Sequence, residues 1–300
     1  MRPVVKARFS GHKGPVYALV EGPAPRTLLS GSGDGHVVRW SLDRPDEGIA
    51  VVQVGQPVFA LHLHPPLGLL FIGTDSGSLH VVDLHGGREQ QLFQHQRKGI
   101  YAIAPLPGGR IACAAGDGTL AVYALAPTIA RERLIPLSED KLRGMAVSPD
   151  GRLLAVAAGD GRVRLLDTTD LNEVHTLDAH EGGALCTAFH PYKPALVTGG
   201  KDGHLRVWRT DGDLAQLLAI PAHKAAIYRI AFSPEGTHLA SAGRDKMAKL
   251  WDAGTMAPMA RLDRPAGGHQ HSVNALMWCG DALVTAGDDR TLVAWEVPVT

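Results

Sequence analysis

Four stretches of this chain share one skeleton: SGSGDGHVVRWS from Ser30, TGGKDGHLRVWR from Thr198, SAGRDKMAKLWD from Ser241 and TAGDDRTLVAWE from Thr285. In each, a hydroxyl residue stands four positions before an Asp, and a Trp stands six positions after it. A catalytic constellation is needed once, so a set kept four times speaks for architecture. Turn aspartates carry the same period along the chain, at Asp34, Asp75, Asp117, Asp160, Asp202, Asp245 and Asp289, with separations of 41, 42, 43, 42, 43 and 44 residues. Seven units of this length account for the 300 residues. Length alone would suggest about two domains, but the repeat overrides it and leaves no stretch for a second.

Each unit reads as short strands. In the sixth, IYRIAF (227–232) is apolar, SPEG (233–236) is a turn, and THLASAG (237–243) and MAKLWD (247–252) alternate. Runs of four to eight residues between turn residues are hairpin signals, and helical periodicity is absent. Four strands per unit, seven times over, is the pattern of an all-β, seven-bladed β-propeller of four-stranded antiparallel blades. The last unit stops after its third strand, TLVAWEV (291–297), while VVKARF (4–9) stands spare at the other end. Pairing this N-terminal strand with the last blade closes the ring and removes a sticky edge. The expected organisation is a single domain over 1–300, with repeats at about 10–50, 51–92, 93–135, 136–177, 178–220, 221–266 and 267–300 plus the closing strand 4–9.

The units also open on Gly11-His12, Ala179-His180, Ala222-His223 and Gly268-His269, and one ends on a literal Trp251-Asp252. In these residues, over essentially its whole length, the chain resembles the WD-repeat family. The resemblance implies a buried hydrogen-bonded chain in each complete blade: His12/Ser30/Asp34/Trp40, His180/Thr198/Asp202/Trp208, His223/Ser241/Asp245/Trp251 and His269/Thr285/Asp289/Trp295. Unit three is a partial copy (His95, Cys113, Asp117, Tyr123). Units two and four keep Asp but offer Phe71 and Val81, or Val156 and Leu166, so apolar packing must hold those blades.

This architectural role absorbs most of the tempting chemistry. Ser30, His12 and Asp34 imitate a hydrolase triad, but the set recurs and its hydroxyl is committed to Trp. GSGDG (31–35) lacks the helix a phosphate loop requires and reads as a tight turn. His62-Leu63-His64 and His269-Gln270-His271 pair imidazoles along a strand, but no Cys or carboxylate cluster completes a metal set. No metal and no cofactor are expected. Thirty basic residues balance thirty acidic ones, so no global field favours nucleic acid or an anionic membrane. Cys113, Cys186 and Cys279 lie in apolar runs, odd in number, as buried reduced thiols of a cytoplasmic protein would. MRPVVKARFSGH is too short and polar for a signal peptide, and no apolar run reaches the roughly 18 residues of a membrane span.

Five positions after the opening His, family geometry places a side chain at the mouth of the central channel. Read by alignment, this position holds Tyr17, Phe59, Tyr101, Arg143, Leu185, Tyr228 and Asn274, followed by small residues (Ala18, Ala60, Ala102, Gly144, Cys186). The residue before each turn Asp faces the same side in the family: Gly33, Thr74, Gly116, Gly159, Lys201, Arg244 and Asp288. Lys201 and Arg244, with Lys141 and Arg143, make a basic sector across blades four to six, beside an aromatic arc of Tyr17, Phe59 and Tyr101. Tyr and Arg dominate energetic hot spots of interfaces. As the resemblance implies, the expected function is a non-catalytic scaffold that binds a protein or peptide through Tyr17, Phe59, Tyr101, Arg143, Lys201, Tyr228 and Arg244. The partner segment would carry an acidic or phosphorylated end and an apolar end. Two weaker readings are single-stranded nucleic-acid binding, by stacking beside a basic strip, and an enzyme at the channel mouth, which would need a nucleophile, carboxylate pair or metal set. The stretch APTIARERLIPLSEDK (126–141) reads as the longest irregular connection and a second contact site.

Overall fold

Residues that alternate in burial on one strand, and are buried throughout on the next, need sheets packed on both faces. The computed structural model describes residues 3–297 and builds such a structure; positions 1, 2 and 298–300 of the expected domain lie outside the described residues. Seven four-stranded antiparallel sheets form seven blades. Their inner strands are Val16–Glu21, Val58–His64, Ile100–Leu106, Leu142–Val147, Ala184–Phe189, Ile227–Phe232 and Val273–Cys279. Each inner strand touches those of both neighbours, and the seventh returns to the first, so the blades ring a central channel. Second strands such as Leu69–Thr74 and His238–Gly243 are buried at every position because a neighbouring blade covers each face. The strand Val4–Phe9 pairs antiparallel with Leu292–Glu296 as the outer strand of blade seven, as the sequence led us to expect. Phe9 at its end is fully buried, its ring 5.6 Å from Trp40 of blade one.

Among the described residues the apolar core divides into clusters that lie between blades rather than within them. The Trp position of each blade packs against the blade before it: Trp40 with blade seven, Tyr123 with blade two, Leu166 with three, Trp208 with four, Trp251 with five and Trp295 with six. In the four complete blades the indole Nε1–H donates to the hydroxyl over 2.8–3.0 Å. That hydroxyl stands 2.7–3.0 Å from His Nε2, and His Nδ1 stands 2.8–3.1 Å from the turn Asp. With the hydroxyl donating to Nε2, Nδ1–H is free to donate to the carboxylate in blade one; in blade five Arg206 Nη1 joins the network, 2.7 Å from His180 Nδ1 and donating to Asp202.

The structure corrects the register of blade two. Gly77 (φ 87°) occupies the left-handed turn position that Gly35 (φ 78°) holds in blade one, and Asp75 N donates to Pro57 O as Gly33 N donates to Pro15 O. Ser76, not Asp75, is therefore the turn residue, with its hydroxyl 3.0 Å from that of Thr74 and 2.9 Å from that of Ser78. The equivalents of hydroxyl and Trp are Ile72 and Val82, both buried, rather than Phe71 and Val81. Blade four keeps buried Val156 and Leu166, as expected, but adds a polar clasp: Ser138 Oγ and Arg164 Nη2 both donate to Asp160. In blade three His95 turns to the Tyr123 hydroxyl (3.2 Å), and Asp117 accepts from Arg97 N and Thr119 instead. The 126–141 stretch is not an irregular connection. Ala130–Pro136 within it is the outer strand of blade three, without an apolar alternation because nearly all of it is solvated.

These networks make stability depend on pH in one direction. Burial lowers the His180 pKa to about 4, against the opposing pull of Asp202, and also lowers that of His12. For Asp34 burial acts to raise the pKa, but the backbone N–H groups of His36 and Lys13 outweigh it and hold the carboxyl at about 2. Unfolded histidine gains its proton near pH 6.5, whereas folded His180 resists until about pH 4, so stability is lost as pH falls across that window. Asp34, still charged when folded but protonated near pH 3.9 when unfolded, extends the loss towards about pH 2. The urea midpoint will therefore fall steadily from pH 7 to pH 4.5; a flat midpoint would mean that the networks accept charged imidazoles.

Candidate functional site

At the second residue of every inner strand the pairing register slips. Val16 pairs with Ser32 and Ala18 with Gly31, which leaves Tyr17 without a cross-strand partner. The same slip isolates Phe59, Tyr101, Arg143, Leu185, Tyr228 and Asn274. A bulge of this kind bends the strand and re-aims the extra side chain. All seven side chains turn to one mouth of the channel, where they line a cavity of about 500 Å3. Lys201 and Arg244 line it as well, so the structure brings the seven residues expected at the site to one place. Lys141 does not line it and stands exposed beside Arg143.

Half of the rim is a continuous stack. The rings of Tyr17 and Phe59 meet edge to face with centroids 5.1 Å apart, and Phe59 stacks on Tyr101 at 5.3 Å with an interplanar angle of 11°. Arg143 ends the series, its guanidinium carbon 4.1 Å from the centre of the Tyr101 ring. Offset and edge-on rings are the favoured arrangements, and a guanidinium over a ring face adds a cation–π attraction. Burial, aided by the nearby Asp288 carboxylate, raises the Tyr17 pKa, so its hydroxyl stays protonated.

Charge is divided around the mouth. Arg143, Lys201, Arg229 and Arg244 line the cavity with one carboxylate, Asp288, which accepts from Asn274 Nδ2 at 2.7 Å. The corrected register adds Asp75, exposed on the blade-two side at the position that Lys201 and Arg244 hold in blades five and six. Acidic groups thus stand on blades two and seven and basic groups on four to six.

Arg229 and Asp75 were missed in the sequence. The signal for Arg229 lies one residue below the rim, where six blades place Ala18, Ala60, Ala102, Gly144, Cys186 and Ala275 and the sixth places arginine. For Asp75 it was the glycine, which follows the Asp directly in units one, three, four and five but two residues later in unit two.

The rings of His62 and His64 stand 6.5 Å apart, and among the described residues no three His, Cys, Asp or Glu converge as a metal set. Cys113, Cys186 and Cys279 are free and buried. No helix of the described residues is long and apolar enough to cross a membrane.

The family model described as WD domain, G-beta repeat matches residues 3–41, 136–167, 171–209 and 215–252. WD repeat-containing protein 36 of Homo sapiens is 24% identical over 213 residues, which are 68% of this chain and 23% of that protein. Protein LST8 homolog of Drosophila melanogaster is 27% identical over 154 residues, 49% of each chain. Nuclear distribution protein nudF of Aspergillus niger is 29% identical over 168 residues, 53% of this chain and 36% of that one. The chain aligns with half or less of the length of each of these relatives. With family repeats matched in four places and seven blades built on one plan, this chain is a WD-repeat protein folded as a seven-bladed β-propeller.

Proposed function

We propose that the protein is a non-catalytic scaffold that holds a protein or peptide segment across the channel mouth. The observation that carries this reading is the unbroken Tyr17–Phe59–Tyr101–Arg143 stack, facing Lys201, Tyr228 and Arg244 across a cavity of about 500 Å3. Rigid rings on bulged strands offer a large contact area with little rotamer freedom left to lose on binding. The aromatic half suits an apolar or aromatic side chain, and the basic half an acidic or phosphorylated one. Buried unpaired thiols favour a reducing, cytoplasmic setting. The relatives named above are matched over part of their length, and they lend the scaffold reading support by analogy alone.

The test is selection of displayed random peptides on the wild-type protein and on a folded Tyr101→Ala/Arg143→Glu/Tyr228→Ala variant. Wild type will enrich peptides that join an aromatic and an acidic residue, and the variant will retain none of them. Equal retention by both proteins would remove the rim from the binding surface. Enrichment of single-stranded oligonucleotides over peptides, with a steep dependence on salt, would replace this reading by nucleic-acid binding.

A further inference from the structure

One residue beneath the rim, the channel is lined by small side chains in six blades, which leaves a hole along the axis. Arg229 of blade six crosses that hole: its Nη2 donates to Tyr101 O of blade three, 128 positions away in sequence, at 3.2 Å. It borders both the mouth cavity and a second cavity of about 170 Å3 beneath, so it divides the channel into an upper and a lower part. A guanidinium carries five N–H donors, and among the described residues this one spends a single donor, on a neutral carbonyl. The carboxylate at the mouth, Asp288, is held by Asn274. Burial lowers the Arg229 pKa; the Cys186 thiol opposes that shift and Arg143 adds to it, with no carboxylate contributing. Arginine nonetheless remains protonated at neutral pH. A half-buried cation with spare donors, other cations beside it and no counter-ion is complementary to an oxyanion that arrives from outside.

We infer that Arg229 is the seat for one oxyanion, a carboxylate or a phosphate, carried on the bound peptide and inserted through the rim into the channel. The inference rests on the scaffold reading of the rim and adds depth to it. The peptide enters as a side chain rather than lying flat: its apolar part is covered by Phe59 and Tyr101, while its anionic end reaches past Arg143 to the cross-bar. The planar fork of Arg229 donates to two oxygens in parallel, which a lysine in the same place could not do.

Two substitutions separate this seat from the rim. Arg229→Met keeps much of the volume without the charge, and Arg229→Lys keeps the charge without the fork. Random peptides are displayed and selected on wild type, on each variant and on the rim variant described above, with circular dichroism to verify folding. An acidic residue at one fixed distance from an aromatic one will be enriched on wild type and lost on Arg229→Met, while the aromatic preference persists on both. Arg229→Lys will recover the acidic preference only in part. The enriched peptide is then titrated in glutamate, glutamine and phosphoserine forms. The anionic forms will bind wild type about tenfold or more tighter than the glutamine form, and Arg229→Met will not distinguish them. Whichever anionic form binds more tightly identifies carboxylate or phosphate as the natural group. If Arg229→Met keeps the same acidic preference, or wild type enriches only aromatic peptides that the rim variant loses, the seat is overturned and the rim survives. If the rim variant keeps every peptide, both fall.

Discussion

Trp295→Ala will lower the unfolding free energy by about 3–5 kcal/mol, the cost typical of deleting a large buried aromatic. Trp295 is wholly inaccessible and packs against Ala240, Ala242 and Leu250 of blade six, so its loss opens a cavity between blades rather than inside one. It also pairs with Val5 of the closing strand and donates Nε1–H to Thr285 at 3.0 Å. Removing it leaves the Thr285 hydroxyl short of a donor while His269 still holds it at 3.0 Å. Trp295→Phe, which keeps most of the packing, isolates the polar part and should cost about 1–2 kcal/mol. Because this blade pairs the first described strand with the last, amides of Val4–Phe9 and Leu292–Glu296 will lose hydrogen-exchange protection first in the alanine variant. Urea unfolding of the three proteins measures the free energies. A Trp295→Ala midpoint close to wild type would show that ring closure does not depend on this contact.

The second large effect concerns the mouth. Arg143→Glu/Lys201→Glu/Arg244→Glu will weaken binding of an acidic-aromatic peptide selected on wild type by about a hundredfold or more, since each charge-assisted contact is worth ~1.5–3 kcal/mol. These side chains lie at the rim, outside the blade cores, so thermal unfolding will scarcely change. With Asp75 and Asp288 already on the face, the reversed variant presents a mouth acidic on nearly every side and will select basic peptides. Wild-type affinity will fall between about 50 and about 500 mM salt, where exposed charges are increasingly screened. An affinity insensitive to both charge reversal and salt would leave the aromatic stack as the whole of the site.

The fold was legible because its determinants recur. An Asp at or beside the turn recurs in every unit, a Trp six residues after it marks four of the seven, and the spare strand at 4–9 announced the closure. Blade two was misaligned by one residue because Asp75 sits next to the true turn residue, Ser76, and an Asp looks like the repeat's own. Ala130–Pro136 escaped notice because nearly all of it is exposed and Arg131, Glu132 and Arg133 follow one another, so no apolar alternation marks it as a strand. The rim residues could be found because the resemblance to WD-repeat proteins implies which position faces the channel mouth, and the period carries that position from unit to unit. Alignment also shows Arg229 as the one large residue at a position that is small in six units, but only the closed ring turns those six residues into a single hole for it to cross.

The seven bulges separate two kinds of information. Each rim residue stands outside the cross-strand ladder, so its identity answers to no pairing partner. Foldability is written in the His, Ser/Thr, Asp and Trp positions of the complete blades, and, on the scaffold reading proposed above, specificity is written in the unpaired ones. A chain that kept the first set and changed the second would assemble the same disc around a different recognition surface. On that reading, retargeting the molecule requires rewriting a ring of single residues, with the scaffold left as it is.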